Sequence, residues 1–341
     1  MRIIFFAGGT LGHIMPCVTI IKEIKKQYPS AFIILVSTYK DDKYIITKDN
    51  SIDKTYYLES YKLSLNIREQ KKNLNCYKKI KEIIINEDIH IAYGFGGYIS
   101  GIGILAGKKL KLKTYLHEQN SVMGKANKYL VKYVDKVFLS YPTKKMKHNY
   151  ELVGNPVFLN ALELKKHIYK VRNKILFTSG TLGAKAINQF VINISNTPFL
   201  DNYDIYVVTG KKYYEEVVKK VNKPNYHIYS FSNNLIKEIA ESEIVISRAG
   251  ATTIFEILGT KTLSIVVPSP NVTNNHQYYN ASYFKSKGCL EMIEEEELSI
   301  NHFMTLLKKL IDNKNEYLQA INNLDIINLK KSMIDNVINN E

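Results

Sequence analysis

Apolar residues along this chain fall in short runs, separated by longer stretches in which apolar and polar positions alternate at helical spacing. The runs lie at residues 2–7, 32–37, 89–93, 114–117 and 136–139, and again at 174–178, 203–209, 244–247 and 263–267. A short run apolar on both faces fits a strand buried in a parallel sheet, and the amphipathic stretch between two runs fits the crossover helix such a sheet requires. The series therefore predicts a doubly wound α/β fold, and it occurs twice. The repetition extends to the residues themselves. Residues 2–12 overlie residues 173–183 at a constant offset of 171, matching Phe6 with Phe177 and Gly9-Thr10-Leu11-Gly12 with Gly180-Thr181-Leu182-Gly183. That match falls at the first strand-to-helix turn of each half, the tightest turn of a nucleotide-binding Rossmann fold. Two Rossmann-like domains are expected, 1–157 and 158–322, with the turn signal Gly154-Asn155-Pro156 near their boundary. Residues 323–341 carry Leu324, Ile327, Leu329, Met333, Ile334 and Val337 at helical spacing and read as a closing helix. The acidic run 294–297 reads as a solvated helix start.

Composition narrows the picture. The 341 residues, 45% of them apolar, suffice for two full-sized cores, which excludes global disorder. No apolar run approaches the roughly 18 residues that would span a bilayer. The opening Met1-Arg2-Ile3-Ile4-Phe5-Phe6-Ala7 is short, has no A-x-A-like site and runs into Gly8-Gly9, so it reads as a core strand rather than a signal peptide. Cys17, Cys76 and Cys289 are odd in number and far apart, which predicts neither a disulfide framework nor a zinc site and suits a reducing cytosol. The net charge of +15 is unevenly placed: residues 1–150 carry 26 Lys+Arg against 12 Asp+Glu, and residues 151–341 carry 21 against 20. A basic first half suits an anionic partner, whether nucleic acid, a phospholipid surface or a phosphorylated substrate, or is simply a lysine-rich solvated surface.

Candidate chemistry gathers after the predicted strands, where open α/β sheets bind ligands. Gly8-Gly9-Thr10-Leu11-Gly12-His13 ends the first strand, and its main-chain N–H groups can approach an anion or sugar closely. It is neither G-x-G-x-x-G nor a P-loop. His13, at the start of the following helix, is a candidate to take a proton from a substrate hydroxyl, or a simple hydrogen-bonding residue. Gly94-Phe95-Gly96-Gly97-Tyr98-Ile99-Ser100-Gly101 forms a second turn of the same kind, and His117-Glu118-Gln119-Asn120 groups polar side chains either for a ligand or as a helix-capping loop. In the second half, Ser247 to Glu256 offers a helix N-terminus for a pyrophosphate, with Glu256 either holding two ribose hydroxyls or solvated on its helix. After Pro268-Ser269-Pro270, Asn274-Asn275-His276-Gln277 opens another helix with side chains suited to sugar hydroxyls. No D-x-D triplet and no His/Asp/Glu cluster at metal-ligand spacing appears, so no metal and no cofactor is expected, and charge neutralisation falls to helix N-termini and main-chain N–H groups.

The ordered set GGTLGH, GFGGYISG, HEQN, VGNPV, SGTLGAKAIN, SRAGATTIFE and NHQYYNA, spread over residues 8–281, resembles the MurG family, the UDP-N-acetylglucosamine transferases of glycosyltransferase family 28 that convert lipid I to lipid II in peptidoglycan synthesis. The resemblance implies a GT-B fold, two Rossmann domains facing a cleft with the C-terminal helix crossing back to the first. It implies an inverting transfer of GlcNAc from UDP-GlcNAc to the C4 hydroxyl of the muramoyl sugar, giving a β-1,4 bond, and a place in cell-wall biogenesis and hence in cell shape, division and the cell cycle. The implied donor contacts are Thr10, Leu11, Gly12, Asn120, Thr181, Ala251, Thr252, Thr253, Ile254, Glu256 and Gln277. Of these, Ala251, Thr252 and Thr253 fall at the phosphates, Glu256 at the ribose and Gln277 at the GlcNAc hydroxyls, with Thr181 keeping a hydroxyl where the family has a serine. The implied acceptor side is Gly97, Tyr98, His117 and Glu118 together with His13, and the implied catalytic residues are His13, as general base, and Glu118.

Three residues depart from the family pattern. Leu11 stands for a glycine in the first loop, Leu182 for a polar residue in the second, and Phe158 for an arginine near the nucleotide, so that a cationic contact is lost or replaced by stacking. The implied partners are UDP-GlcNAc, lipid I with its undecaprenyl-linked muramoyl peptide, and the anionic inner-membrane surface, where each Lys or Arg contributes on the order of 1 kcal/mol of attraction. The implied location is peripheral, on the cytoplasmic face of the plasma membrane, with no nucleic-acid partner. Residues 61–85, with Leu63, Leu65, Leu74, Tyr77, Ile80, Ile83 and Ile84 among Lys71, Lys72, Lys78, Lys79 and Lys81, form either an interfacial patch or an ordinary helix with its apolar face in the core. Two other functions fit the same motifs: a GT-B transferase acting on another lipid such as diacylglycerol, or a non-catalytic UDP-sugar-binding homologue, at which Leu11 and Phe158 hint.

Overall fold

The computed structural model describes residues 1–39, 50–62, 64–180, 183–324 and 333–334. They separate into two compact units, Met1–Pro156 with Ile326–Glu341, and Val157–Asp325.

The first unit is built on seven strands: β1 (Arg2–Phe6), β2 (Phe32–Ser37), β3 (Lys54–Tyr57), β4 (Ile91–Gly94), β5 (Lys113–Glu118), β6 (Lys136–Leu139) and β7 (Tyr150–Leu152). They pair in parallel in the order β3-β2-β1-β4-β5-β6-β7. Alternate residues of β1 enter opposite cores. Ile3 and Phe5 pack with Ile14, Ile20 and Ile24 of the helix Leu11–Gln27, whereas Ile4 and Phe6 pack with Ile80 and Ile84 of the helix Ile67–Asn86. That double burial is why β1 reads as an unbroken apolar run. The chain order reverses between β1 and β4, so their Gly-rich turns open beside each other at the switch point where such sheets bind ligands.

The second unit repeats the plan with β8 (Lys174–Thr178), β9 (Asp204–Val208), β10 (Tyr226–Tyr229), β11 (Ile244–Ser247), β12 (Leu263–Val266) and β13 (Glu291–Met292), parallel in the order β10-β9-β8-β11-β12-β13. Phe177, Phe190 and Phe303 meet in tilted and edge-on contacts in its larger core. The reversal here lies between β8 and β11.

All nine apolar runs are strands. The four strands that the pattern did not announce, β3, β7, β10 and β13, are the four sheet edges. An edge strand has neighbours on one side only, so it stays short and tolerates polar residues such as Lys54, Glu151 and His227. Two further expectations are corrected. Residues 295–297 form a 3₁₀ turn rather than a solvated helix start, and Glu295 is ion-paired with Arg248. His117 and Glu118 belong to β5 itself rather than to a loop beyond it. Of the expected closing helix, Met333 and Ile334 are helical and buried in the first unit's core, while 325–332 and 335–341 lie outside the described residues. Among the described residues no helix is long and apolar enough to cross a membrane.

Candidate active site

In the first unit the site starts at the β1 turn. Thr10 is the N-cap of the helix Leu11–Gln27, and the His13 N–H donates to the Thr10 carbonyl at 3.1 Å. The His13 side chain turns back, with Nδ1 3.0 Å from the Gly8 carbonyl oxygen and 3.3 Å from the Thr10 hydroxyl. A carbonyl only accepts, so Nδ1 carries the hydrogen and Nε2 of the neutral ring carries the lone pair. The second Gly-rich turn lies directly against this ring. A β-carbon at Gly96, where φ is +106°, would come within 2.5 Å of His13 Cδ2, and one at Gly97, where φ is +79°, within 2.4 Å of the Gly8 oxygen. Only glycine at both positions lets the two turns touch. Tyr98 follows, exposed, in the first turn of the helix Gly97–Lys109. Neither this helix nor Leu11–Gln27 has a side-chain cap or an acidic residue in its first turn, so both present N–H groups and the positive ends of their dipoles.

Of the two parts open to the HEQN residues, the buried His117 and Glu118 take the second, bracing the loop that leads into the helix Lys125–Leu130. His117 has no accessible surface. Its Nε2–H donates to the Gly154 carbonyl at 3.1 Å, beside the Ser140 hydroxyl, and burial holds its pKa down at about 4, so the ring is neutral. Glu118 is also buried, and its two oxygens accept four hydrogen bonds: from Asn120 N and Asn120 Nδ2 at 3.0 and 3.4 Å, Gly124 N at 3.0 Å and Asn127 Nδ2 at 2.8 Å. Gln119 Nε2 donates to the Phe95 carbonyl at 2.6 Å. Their neighbours occupy these polar atoms, so His117 and Glu118 offer no surface to a sugar; they fix the loop that displays half-buried Asn120.

In the second unit the turns after β8 and β11 line a cavity of about 460 Å³, whose walls include Ser179, Gly180, Gly183, Lys185, Ser247, Arg248, Gly250, Thr253 and Gln277. Gly183, at φ +76°, could carry no β-carbon, because one would sit 2.4 Å from the Thr209 oxygen. Two helices, Lys185–Ser195 and Ala251–Gly259, start at the cavity, again without side-chain caps or first-turn acids. The N–H groups of Ala251, Thr252 and Thr253 belong to the first turn of the second helix. The Ile254 N–H already donates to the Gly250 carbonyl at 3.0 Å and the Ile254 side chain is wholly buried, so this residue serves the core rather than a ligand. Gln277 Oε1 accepts the Ser269 N–H at 2.9 Å, which fixes the amide and presents Nε2 as the donor. The segment before it holds two successive left-handed residues, Asn274 at φ +56° and Asn275 at φ +49°, a costly backbone of the kind that concentrates at functional sites. Glu256 is half-buried on the helix Ala251–Gly259, and burial pushes its carboxyl up to about 7.

Thr181 and Leu182 lie outside the described residues, and so does Leu63. Phe158 is buried in the helix Val157–Lys165, so its ring is core rather than a stacking surface for a base. Among the residues of the cavity wall that the sequence reading did not assign to the site are Lys185 and Arg248. The signal for Lys185 was its place directly after a glycine turn, at the first position of a helix. Among the described residues no group of three His, Cys, Asp or Glu side chains is placed to hold a metal ion.

The chain matches known proteins along nearly all its length. Models of the glycosyltransferase family 28 N-terminal and C-terminal domains match residues 3–139 and 174–337. The UDP-N-acetylglucosamine–N-acetylmuramyl-(pentapeptide) pyrophosphoryl-undecaprenol N-acetylglucosamine transferase of Pediococcus pentosaceus is 32% identical, covering 91% of each chain, and that of Caldicellulosiruptor saccharolyticus is 33% identical, covering 93% of this chain and 91% of the other. The crystal structure of Acinetobacter baumannii MurG superposes with a TM-score of 0.77 at 22% identity, over 100% of this chain and 99% of that one, and shows that the two units share the GT-B fold. With both domain models matched and relatives above 30% identity across nine-tenths of its length, the chain belongs to glycosyltransferase family 28, among its MurG-type N-acetylglucosamine transferases.

Proposed function

We propose that this protein transfers GlcNAc from UDP-GlcNAc to the C4 hydroxyl of the muramoyl sugar of lipid I, making the β-1,4 bond of lipid II for the peptidoglycan wall. The observation that carries the proposal is the second unit's cavity, where two uncapped helix N-termini, Thr253 and the oriented Gln277 amide surround one space suited to a nucleotide sugar. The N–H groups of Ala251, Thr252 and Thr253 take the phosphates, Glu256 the ribose hydroxyls and Gln277 Nε2 a GlcNAc hydroxyl. In the first unit His13 Nε2 takes the proton of the acceptor hydroxyl. As that oxygen attacks the anomeric carbon from the face opposite UDP, the bond to the β-phosphate oxygen breaks and its electron pair leaves with UDP, so the configuration inverts. Thr10, Leu11, Gly12 and Asn120 contact the donor, and Gly97 and Tyr98 the acceptor. Glu118 and His117 act as positioning residues, the first holding Asn120 and the second the Gly154 carbonyl.

The same proposal places the protein on the anionic cytoplasmic face of the membrane, where its lipid substrate resides. On and just before the helix Ile67–Asn86, Leu65, Ile67 and Leu74 are exposed among Lys62, Arg68, Lys71 and Lys78, while Ile80 and Ile84 turn into the core. Such a mixture of exposed apolar and cationic side chains suits a peripheral contact.

Acceptor choice tests the proposal. Labelled UDP-GlcNAc incubated with a short-chain lipid I analogue yields labelled product, and with diacylglycerol yields none. Labelling of diacylglycerol in preference to the lipid I analogue would move the protein to another lipid acceptor.

A further inference from the structure

We infer that Lys185 is a donor-binding residue whose ammonium neutralises the diphosphate of the nucleotide sugar, an inference that rests on the donor assignment above. Lys185 is the first residue of the helix Lys185–Ser195 and lines the same cavity as Gly180, Gly183, Gly250 and Thr253. Two other ionised side chains line that cavity, Arg248 and Glu295, and they are committed to each other. Arg248 Nη2 pairs with the Glu295 carboxylate, while Nη1 donates to the carbonyls of Val267 at 3.1 Å and Pro268 at 3.2 Å. The pair braces the wall but adds no net charge to it. Lys185 is exposed and, among the described residues, has no carboxylate within ion-pair distance. Glu216, held ionised chiefly by Lys220 and only least by Lys185, is bonded to Lys220 at 2.8 Å. The lining therefore carries one uncompensated positive charge, and Lys185 bears it.

A diphosphate needs that charge. Each helix N-terminus supplies roughly half an elementary charge, spread over several N–H groups. That is less than the full negative charge on each phosphate. The arginine that the family pattern places near the nucleotide is absent, and Phe158 in its place is buried and uncharged. Lys185 supplies a cation to the cavity wall, on a helix whose own dipole already favours anions. When the anomeric bond breaks, negative charge grows on the β-phosphate oxygen, and a lysine there stabilises the leaving UDP as well as the bound donor.

The test is the affinity of UDP and of uridine for the full chain, measured by calorimetry for the unmutated protein, Lys185→Met and Lys185→Arg. A charge-assisted hydrogen bond to phosphate converts to about a 10- to 100-fold loss of UDP affinity in Lys185→Met. Uridine, which lacks the phosphates, binds all three proteins equally. Lys185→Arg retains most of the UDP affinity, and added salt weakens UDP binding more in the unmutated protein than in Lys185→Met. Equal losses for UDP and uridine would assign Lys185 a structural role, and unchanged UDP affinity would remove it from the site; either result overturns the inference while leaving the donor assignment standing. Failure of the unmutated protein to bind UDP would overturn the donor assignment and the inference together.

Discussion

His13→Ala lowers GlcNAc transfer by about 100- to 10,000-fold, the range that general-base catalysis contributes, and leaves the protein folded. The size of the effect follows from how the ring is held. Its Nδ1–H is anchored 3.0 Å from the Gly8 carbonyl, so the basic nitrogen is Nε2 and the ring cannot exchange the two roles without breaking that bond. Gly96 lies so close to the imidazole that a β-carbon there would come within 2.5 Å of Cδ2. Alanine keeps the helix start, because the hydrogen bond from His13 N–H to Thr10 is made by the main chain. What folding loses includes the side-chain hydrogen bond to the Gly8 carbonyl and the contact with the Thr10 hydroxyl, a cost of about 1 kcal/mol. Steady-state kinetics then show a fall in kcat with the KM for UDP-GlcNAc little changed, because His13 is assigned to the acceptor hydroxyl and not to the donor. A loss below about tenfold would pass the base role to another group.

The second large effect is a pH dependence of donor binding that originates at Glu256. Its carboxyl is pushed up to about 7 by burial, whereas ribose hydroxyls donate best to the ionised form. Donor affinity therefore rises as pH increases through about 7 and levels off above it, and KM for UDP-GlcNAc is about tenfold higher at pH 6 than at pH 8. Glu256→Gln keeps the shape but never ionises, so its KM is high throughout, by about 10- to 100-fold at pH 8, and flat with pH. The unliganded protein responds with the opposite sign. A carboxyl whose folded pKa lies above its unfolded value binds more protons when folded, so its contribution to stability is present below about 4.5 and is lost as pH rises through about 7. Thermal unfolding across pH 4.5 to 7 loses this component of its slope in Glu256→Gln. A KM that stays level across pH 6 to 8 in the unmutated protein would take Glu256 away from the ribose.

Much of this architecture is legible in the sequence, for a physical reason. The inner strands are covered on both faces, so Ile3-Ile4-Phe5-Phe6 and Ile175-Leu176-Phe177 appear as unbroken apolar runs. The edges β3, β7, β10 and β13 have no such cover and carry no such signal. The glycine turns are legible for a related reason, since Gly96, Gly97 and Gly183 hold backbone angles that side chains resist. What those turns touch is not written locally: that Gly96 backs His13, 83 positions earlier, emerges only when β1 and β4 pair. Burial is the other blind spot. His117 and Glu118 look like site residues by type and place, yet both are buried, with His117 Nε2 bonded to Gly154 and the Glu118 oxygens to Asn120, Gly124 and Asn127, which the spacing of HEQN does not reveal. Ile254 lies inside a ligand-binding motif but points into the core. Lys185 is one of 47 cationic side chains, and only the pairing of Arg248 with Glu295 marks it, among the described residues of the cavity wall, as the cation not already paired.

The central claim, inverting transfer to lipid I, is tested most directly by the anomeric configuration of the product. The unmutated protein is incubated with UDP-GlcNAc and a short-chain lipid I analogue in EDTA, and the disaccharide is examined by proton NMR. The expected product has GlcNAc joined in the β configuration to C4 of the muramoyl sugar, formed at full rate in the chelator because helix N-termini and Lys185 neutralise the diphosphate. An α-linked product, or free GlcNAc with the acceptor unchanged, would contradict it.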